Sequence, residues 1–271
     1  GGVTESYVES GQRTIGGDVS TNQGAPQGHL FVLIFDQDHI RSGAEQPVRQ
    51  AAAAFLREQV RQTDRVAIYG LPGPGPSQPF TNNLAAASQQ LELVRGAPEG
   101  RGNGAVTDMT IAEANEIVRG NERVLSRFTT VNLADSNPTG GASGTDRVQR
   151  FAEDPAVVRR LIKENAQSIV ARADADARRF LLSMSDVLRG LRGIDGRKTV
   201  LLFSEGFYSA NVARELEDVA TAAAETYSVV YAFDLNRRID LTSAERSVAE
   251  DNAEIQNRIE PLGSLAAETS G

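Results

Sequence analysis

Two kinds of hydrophobic pattern alternate along the chain, and their order predicts the fold. His29-Leu-Phe-Val-Leu-Ile-Phe-Asp36 is a continuous apolar run with β-branched and aromatic members, as expected of a strand buried on both faces. From about Ala44 to Arg61 the residues Val48, Ala51, Ala52, Phe55, Leu56 and Val60 recur at helical spacing. Asp64-Arg-Val-Ala-Ile-Tyr-Gly70 reads as a second strand. Strand, helix and strand in this order imply a right-handed parallel crossover. Leu71-Pro-Gly-Pro-Gly-Pro76 follows. Its alternating prolines and glycines disfavour helix and ladder alike, so the expectation is a stiff surface loop.

Asn82 to Val94 reads as a helix. A Gly-rich gap at 96–106 and a polar loop at 135–146 flank one or two short helices over 110–128, broken at Gly120. Asp154-Pro155 opens a long helix, with Asp as the N-cap and Pro in the first turn. It is expected to reach Leu191, a length of about 55 Å at 1.5 Å per residue. Ala177, Phe180, Leu181, Met184, Leu188 and Leu191 form a core-facing stripe, whereas the first half is more polar and is expected to project beyond the core. Gly193-Ile-Asp-Gly196 stops the helix. Lys198–Ser204 is the third clear strand, 211–226 a helix, and Tyr227–Asp234 the fourth strand; the tail from 242 is mostly helical. The expected fold class is α/β: a doubly wound, mostly parallel sheet flanked by helices, with a long helical insertion at about 96–195. Residues 1–28, rich in Gly, Ser, Thr and Gln with no apolar period, read as an extended N-terminal arm preceding one α/β domain over 29–271.

Composition narrows the function classes. The 271 residues suit one large or two modest units, and 40% apolar content is enough for a core. Aromatic residues are only 6%, so that core packs mainly through Ala, Val, Leu and Ile. The net charge is −8, and basic residues interleave with acidic ones, as at Arg159, Arg160, Lys163 and Glu164. This is a solvated helix face, not a basic patch, so nucleic acid is not an expected partner. Cysteine is absent, which excludes disulfides and thiolate metal sites. No apolar run approaches the roughly 18 residues of a membrane span. The chain begins Gly1-Gly2 without a visible signal peptide, as a mature or trimmed form would.

Five segments together resemble the von Willebrand factor A-related proteins of the acidobacterial type. They are FVLIFDQDHI at 31–40, the helix at 44–61, DRVAIYGLPGPGP at 64–76 with PFT at 79–81, GRKTVLLFSEGF at 196–207, and YSVVYAFDLN at 227–236. The ending LGSLAAETSG at 262–271 resembles the helix that precedes a further strand in such domains. On that resemblance a strand and a helix would be expected after Ser270-Gly271. The likeness covers about residues 29–271, loosely in the insertion. It implies a von Willebrand factor A-like fold and a non-enzymatic module that binds other proteins, as a subunit of a larger assembly. It also implies an exported protein, periplasmic or extracellular.

The candidate chemistry lies at the strand C-termini, where open α/β sheets collect ligands. Asp36 and Asp38 follow the first strand and Glu205 the third; hard cations such as Mg²⁺ or Ca²⁺ favour such oxygen donors. In the family's metal-ion-dependent adhesion site the first turn reads Asp-x-Ser-x-Ser, completed by a loop Thr and a later Asp. Here Asp36 matches the first Asp, Asp38 replaces the first Ser, and Ile40 replaces the second Ser. Glu205 in Ser-Glu-Gly stands where Thr-Asp-Gly is usual, and the loop Thr is Thr81 or Thr107. The resemblance thus implies a degenerate adhesion site. A bland alternative has Asp36 capping a strand end or helix N-terminus through backbone N–H groups. A divalent-cation-dependent adhesion domain is the second expectation. A third is a phosphatase like the haloacid dehalogenases: Asp36 the nucleophile, Asp38 the general acid/base, Ser204 holding the phosphate, Mg²⁺ neutralising charge. That reading wants a later acidic pair, and Asp234 supplies one carboxylate. His39, in the same turn, is expected to be a hydrogen-bonded loop residue rather than a ligand.

Overall fold

The computed structural model describes residues 28–97, 109–135, 154–208, 211–235 and 248–269. In chain order the elements are β1 (Leu30–Asp36), α1 (Glu45–Glu58), β2 (Arg65–Leu71), β3 (Ser77–Thr81), α2 (Leu84–Leu91), α3 (Ile111–Val118) and α4 (Glu122–Asp135). Then come α5 (Pro155–Gly190), β4 (Lys198–Ser204), α6 (Ala213–Glu225), β5 (Ser228–Asp234) and α7 (Val248–Glu268). The strands form one sheet in the order β3-β2-β1-β4-β5. All neighbouring pairs are parallel except β2 with β3. The α/β class and the mostly parallel sheet are therefore as expected from the apolar runs.

Side chains alternate across a strand, so each strand feeds two cores. Val32, Ile34, Val200, Leu202 and Val230 pack with Phe180, Leu181, Met184 and Leu188 of α5, Val219 of α6 and Leu262 of α7. Leu33, Phe35, Leu201 and Phe203 pack on the other face with Val48, Ala52 and Leu56 of α1 and Leu91 of α2. β1 lies at the centre of both, which is why its run has no polar member before Asp36.

α5 runs unbroken for 36 residues, with Asp154 accepting from the Ala156 N–H at 2.8 Å and Pro155 at its start. Its polar first half is not bare. Val158, Ile162, Ala166 and Val170 form a separate small core with Ala114 and Ile117 of α3 and Leu125 and Phe128 of α4. Among the described residues α3, α4 and the first half of α5 thus form a three-helix layer that shares α5 with the sheet domain. Gly120, at φ +91°, makes the expected break between α3 and α4.

The 71–76 region departs from the simple surface loop. It reverses the chain into β3, a short antiparallel edge strand, with the Gly70 N–H donating to the Pro76 carbonyl at 2.8 Å. β3 is half exposed and mixes Gln and Pro with Phe, so it carries no apolar run that would announce it. At the other end of the sheet, Lys198 is buried and its ammonium donates to the carbonyls of Ile194 (2.5 Å), Gly196 (3.1 Å) and Thr226 (2.9 Å). Among the described residues, no helix is long and apolar enough to cross a membrane.

Candidate functional site

β1 and β4 are parallel neighbours, so Asp36 and Ser204 emerge together at the C-terminal edge of the sheet. Asp36 is fully buried. One carboxylate oxygen accepts from the Ser204 hydroxyl at 2.8 Å, and Nδ1 of His39 lies 2.8 and 2.9 Å from the two oxygens. Ser204 in turn accepts from the Gly206 N–H at 3.0 Å. Asp36 is thus held by two side chains, and the expected cap through backbone N–H groups is replaced by a hydroxyl and an imidazole.

His39 is nearly buried, its ring tilted against Phe207 (5.5 Å between centroids) and edge-on to Phe180 (6.2 Å). Burial by itself would lower the imidazole pKa. The Asp36 carboxylate outweighs it through charge and hydrogen bonding, and Asp38 adds to this against the opposing charge of Arg258; the pKa is raised above its ordinary value near 6.5. His39 is hydrogen-bonded, as expected, and its partner is the buried Asp36 carboxylate.

Asp38 accepts from Nε (3.1 Å) and Nη2 (2.6 Å) of Arg179, which projects from α5 and also donates to Asp176 at 2.7 Å. These carboxylates hold the Arg179 pKa above its usual value. Glu205 is buried and accepts from the Arg41 backbone N–H at 3.1 Å and from its Nε at 2.6 Å. Each carboxylate of the expected set therefore faces its own cation or imidazole: Asp36 with His39, Asp38 with Arg179, Glu205 with Arg41.

Ile40 is fully buried in the core between the sheet and α1. Where the adhesion motif has a hydroxyl ligand, this turn has an anchor. Gln37, missed in the sequence, forms a second anchor. Its N–H donates to the Leu71 carbonyl, its amide nitrogen reaches the Pro74 carbonyl at 3.3 Å, and its amide oxygen accepts from Arg95 N–H at 3.1 Å. A Cβ on Gly75 would lie 2.5 Å from that amide, so glycine there admits the clamp.

Thr81 is not part of the site. The register sets Thr81 opposite Val66, and Val66 opposite Phe31, at the start of β1. Five residues at about 3.3 Å each put it roughly 16 Å from Asp36. The antiparallel direction of β3, which the sequence reading lacked, sends its C-terminus to the wrong end of the sheet. The Thr81 hydroxyl instead accepts from the Asn83 N–H at 3.0 Å. Thr107 lies outside the described residues. Asp234 ends β5 in register with Ser204, one strand further from Asp36. Among the described residues no three acidic or imidazole groups converge as a cation shell, so the side chains present do not fit the divalent site expected from the resemblance. Besides Gln37, Arg41 and Arg179 are site residues that sequence reasoning missed. Both are ordinary charged-surface residues in the sequence, and contacts spanning 164 and 141 positions leave no local pattern. No known protein family, curated protein or solved structure matches the chain.

Proposed function

We propose that this chain is a non-enzymatic protein-binding or assembly module of the von Willebrand factor A kind, whose loop end is held together by internal ion pairs instead of a divalent ion. The mostly parallel five-stranded sheet flanked by helices is compatible with that reading. The observation that carries it is the pairing of Asp36, Asp38 and Glu205 with His39, Arg179 and Arg41. An arginine or an imidazole beside each carboxylate stabilises the turn and opposes entry of a divalent cation. A phosphoryl-transfer nucleophile needs an approach line and a free oxygen. Asp36 is fully buried with both oxygens engaged, which favours a structural role over that chemistry.

The test is calorimetric titration with Mg²⁺, Mn²⁺ and Ca²⁺, alongside turnover of a generic phosphoester. The expected outcome is no saturable binding at millimolar metal and no turnover. Saturable binding lost in Asp36→Asn would replace the proposal with the cation-dependent adhesion domain. Turnover lost in the same variant would replace it with the phosphatase.

A further inference from the structure

The buried stripe of α5 passes from one core to the other. Val158, Ile162, Ala166 and Val170 lie in the smaller core, and Ala177, Phe180, Leu181, Met184 and Leu188 in the larger. Between Val170 and Ala177, at the four- and three-residue steps that keep one helix face, stands Asp174, 8% exposed. Its Oδ2 accepts from Asn211 Nδ2 at 2.7 Å, while Oδ1 is buried with no hydrogen-bond partner. Arg178, one turn on, is directed elsewhere: it donates to the Asn211 carbonyl at 2.9 Å and lies 3.2 Å from Glu215. A buried oxygen without a donor costs the closed arrangement free energy that water would restore. An apolar side chain at this position would instead have run the two cores into one.

The rest of the seam is polar too. α3 and α4 pack chiefly on α5 and on each other. Towards the sheet domain, the buried Asn115 of α3 donates through Nδ2 to the Tyr208 hydroxyl at 2.6 Å, in the connection from β4 to α6. We propose that Asp174 marks a joint built into the fold, at which the layer of α3, α4 and the first half of α5 swings away from the sheet domain as one unit. Opening hydrates Asp174 Oδ1 and releases Tyr208 from Asn115, and it leaves each apolar core closed. Arg179, five residues along the same helix, holds Asp38 and Asp176, so the joint lies between the helical layer and the ion pairs of the loop end. The inference rests on packing and does not depend on what the loop end binds.

The test is a distance measurement on the full chain. The sequence has no cysteine, so Ser126→Cys on α4 and Gln50→Cys on α1, both exposed, take spin labels at those two places alone. Pulsed electron resonance then gives the distribution of distances between the helical layer and the sheet domain. In this labelled background the expected result is two distances, closed and open. Asp174→Leu, which joins the cores, should lower the open share roughly tenfold or more. Tyr208→Phe, a conservative change that removes the acceptor for Asn115, should raise it by about threefold or more. A single distance that neither substitution alters would overturn the proposal. A larger open share in Asp174→Leu would also overturn it, because the carboxyl would then be holding the layers together.

Discussion

At the scale of single residues, position 40 separates a metal turn from a locked one. A serine there would complete the adhesion motif on paper. In this fold Ile40 fills the core beside Phe35 and Val48, so Ile40→Ser leaves a cavity and buries a hydroxyl. The variant should lose about 3 kcal/mol in urea denaturation and gain no affinity for Mg²⁺. A near-neutral change would show that the turn is not anchored through this side chain. The His39–Asp36 pair makes a second claim, with a defined sign. The folded imidazole pKa is raised, so the pair's contribution is fully present below the unfolded value near 6.5 and is lost as pH rises through the folded value. Stability measured at pH 6 and pH 8.5 should therefore fall in the wild type by more than in His39→Gln. Equal falls would contradict the assignment. Asp36, Asp38 and Glu205 were legible in the sequence because carboxylates at strand ends stand out against apolar runs. Their partners were not, because Arg41 and Arg179 are brought near only by the chain's return through β4 and α5.

At the scale of elements, boundaries depend on single backbone conformations. Tyr227 sits at φ +52° between α6 and β5, a region costly to residues with a Cβ. Tyr227→Gly should raise stability by about 1 kcal/mol, read as a higher urea midpoint with an unchanged slope. Gly206 makes the reverse case. At φ +81°, with any Cβ 2.3 Å from the Arg258 carbonyl, it lets the loop after β4 press against α7, where Phe207 N–H donates to the same carbonyl at 3.1 Å. Gly206→Ala should destabilise by roughly 2 kcal/mol or more; a neutral substitution would mean that α7 is free to shift. The buried parallel strands were read correctly because both faces demand apolar residues. β3 was not, since an exposed edge strand imposes no such demand, and missing it placed Thr81 at the wrong end of the sheet.

At the scale of the molecule, a two-faced sheet domain carries a helical layer with a core of its own. Ile162 is fully buried in that smaller core, 18 positions before Phe180 joins the larger one on the same helix. Ile162→Ala should cost roughly 3 kcal/mol locally and speed hydrogen exchange in α3, α4 and the first half of α5, with β1 and β4 still protected. Uniform loss of protection would show that the two layers unfold as one. The helical period alone gave the length of α5; its division between two cores follows from where α3 and α4 fold back, which no local pattern encodes. The central claim is that the loop end is neutralised from within. The chain has only two histidines, so the His39 imidazole can be followed by NMR through a pH titration, with and without about 10 mM Mg²⁺. The account predicts a pKa above the ordinary value, unmoved by the metal. A pKa below that value, or one driven down by Mg²⁺ as the ion takes the Asp36 carboxylate from the imidazole, would contradict it.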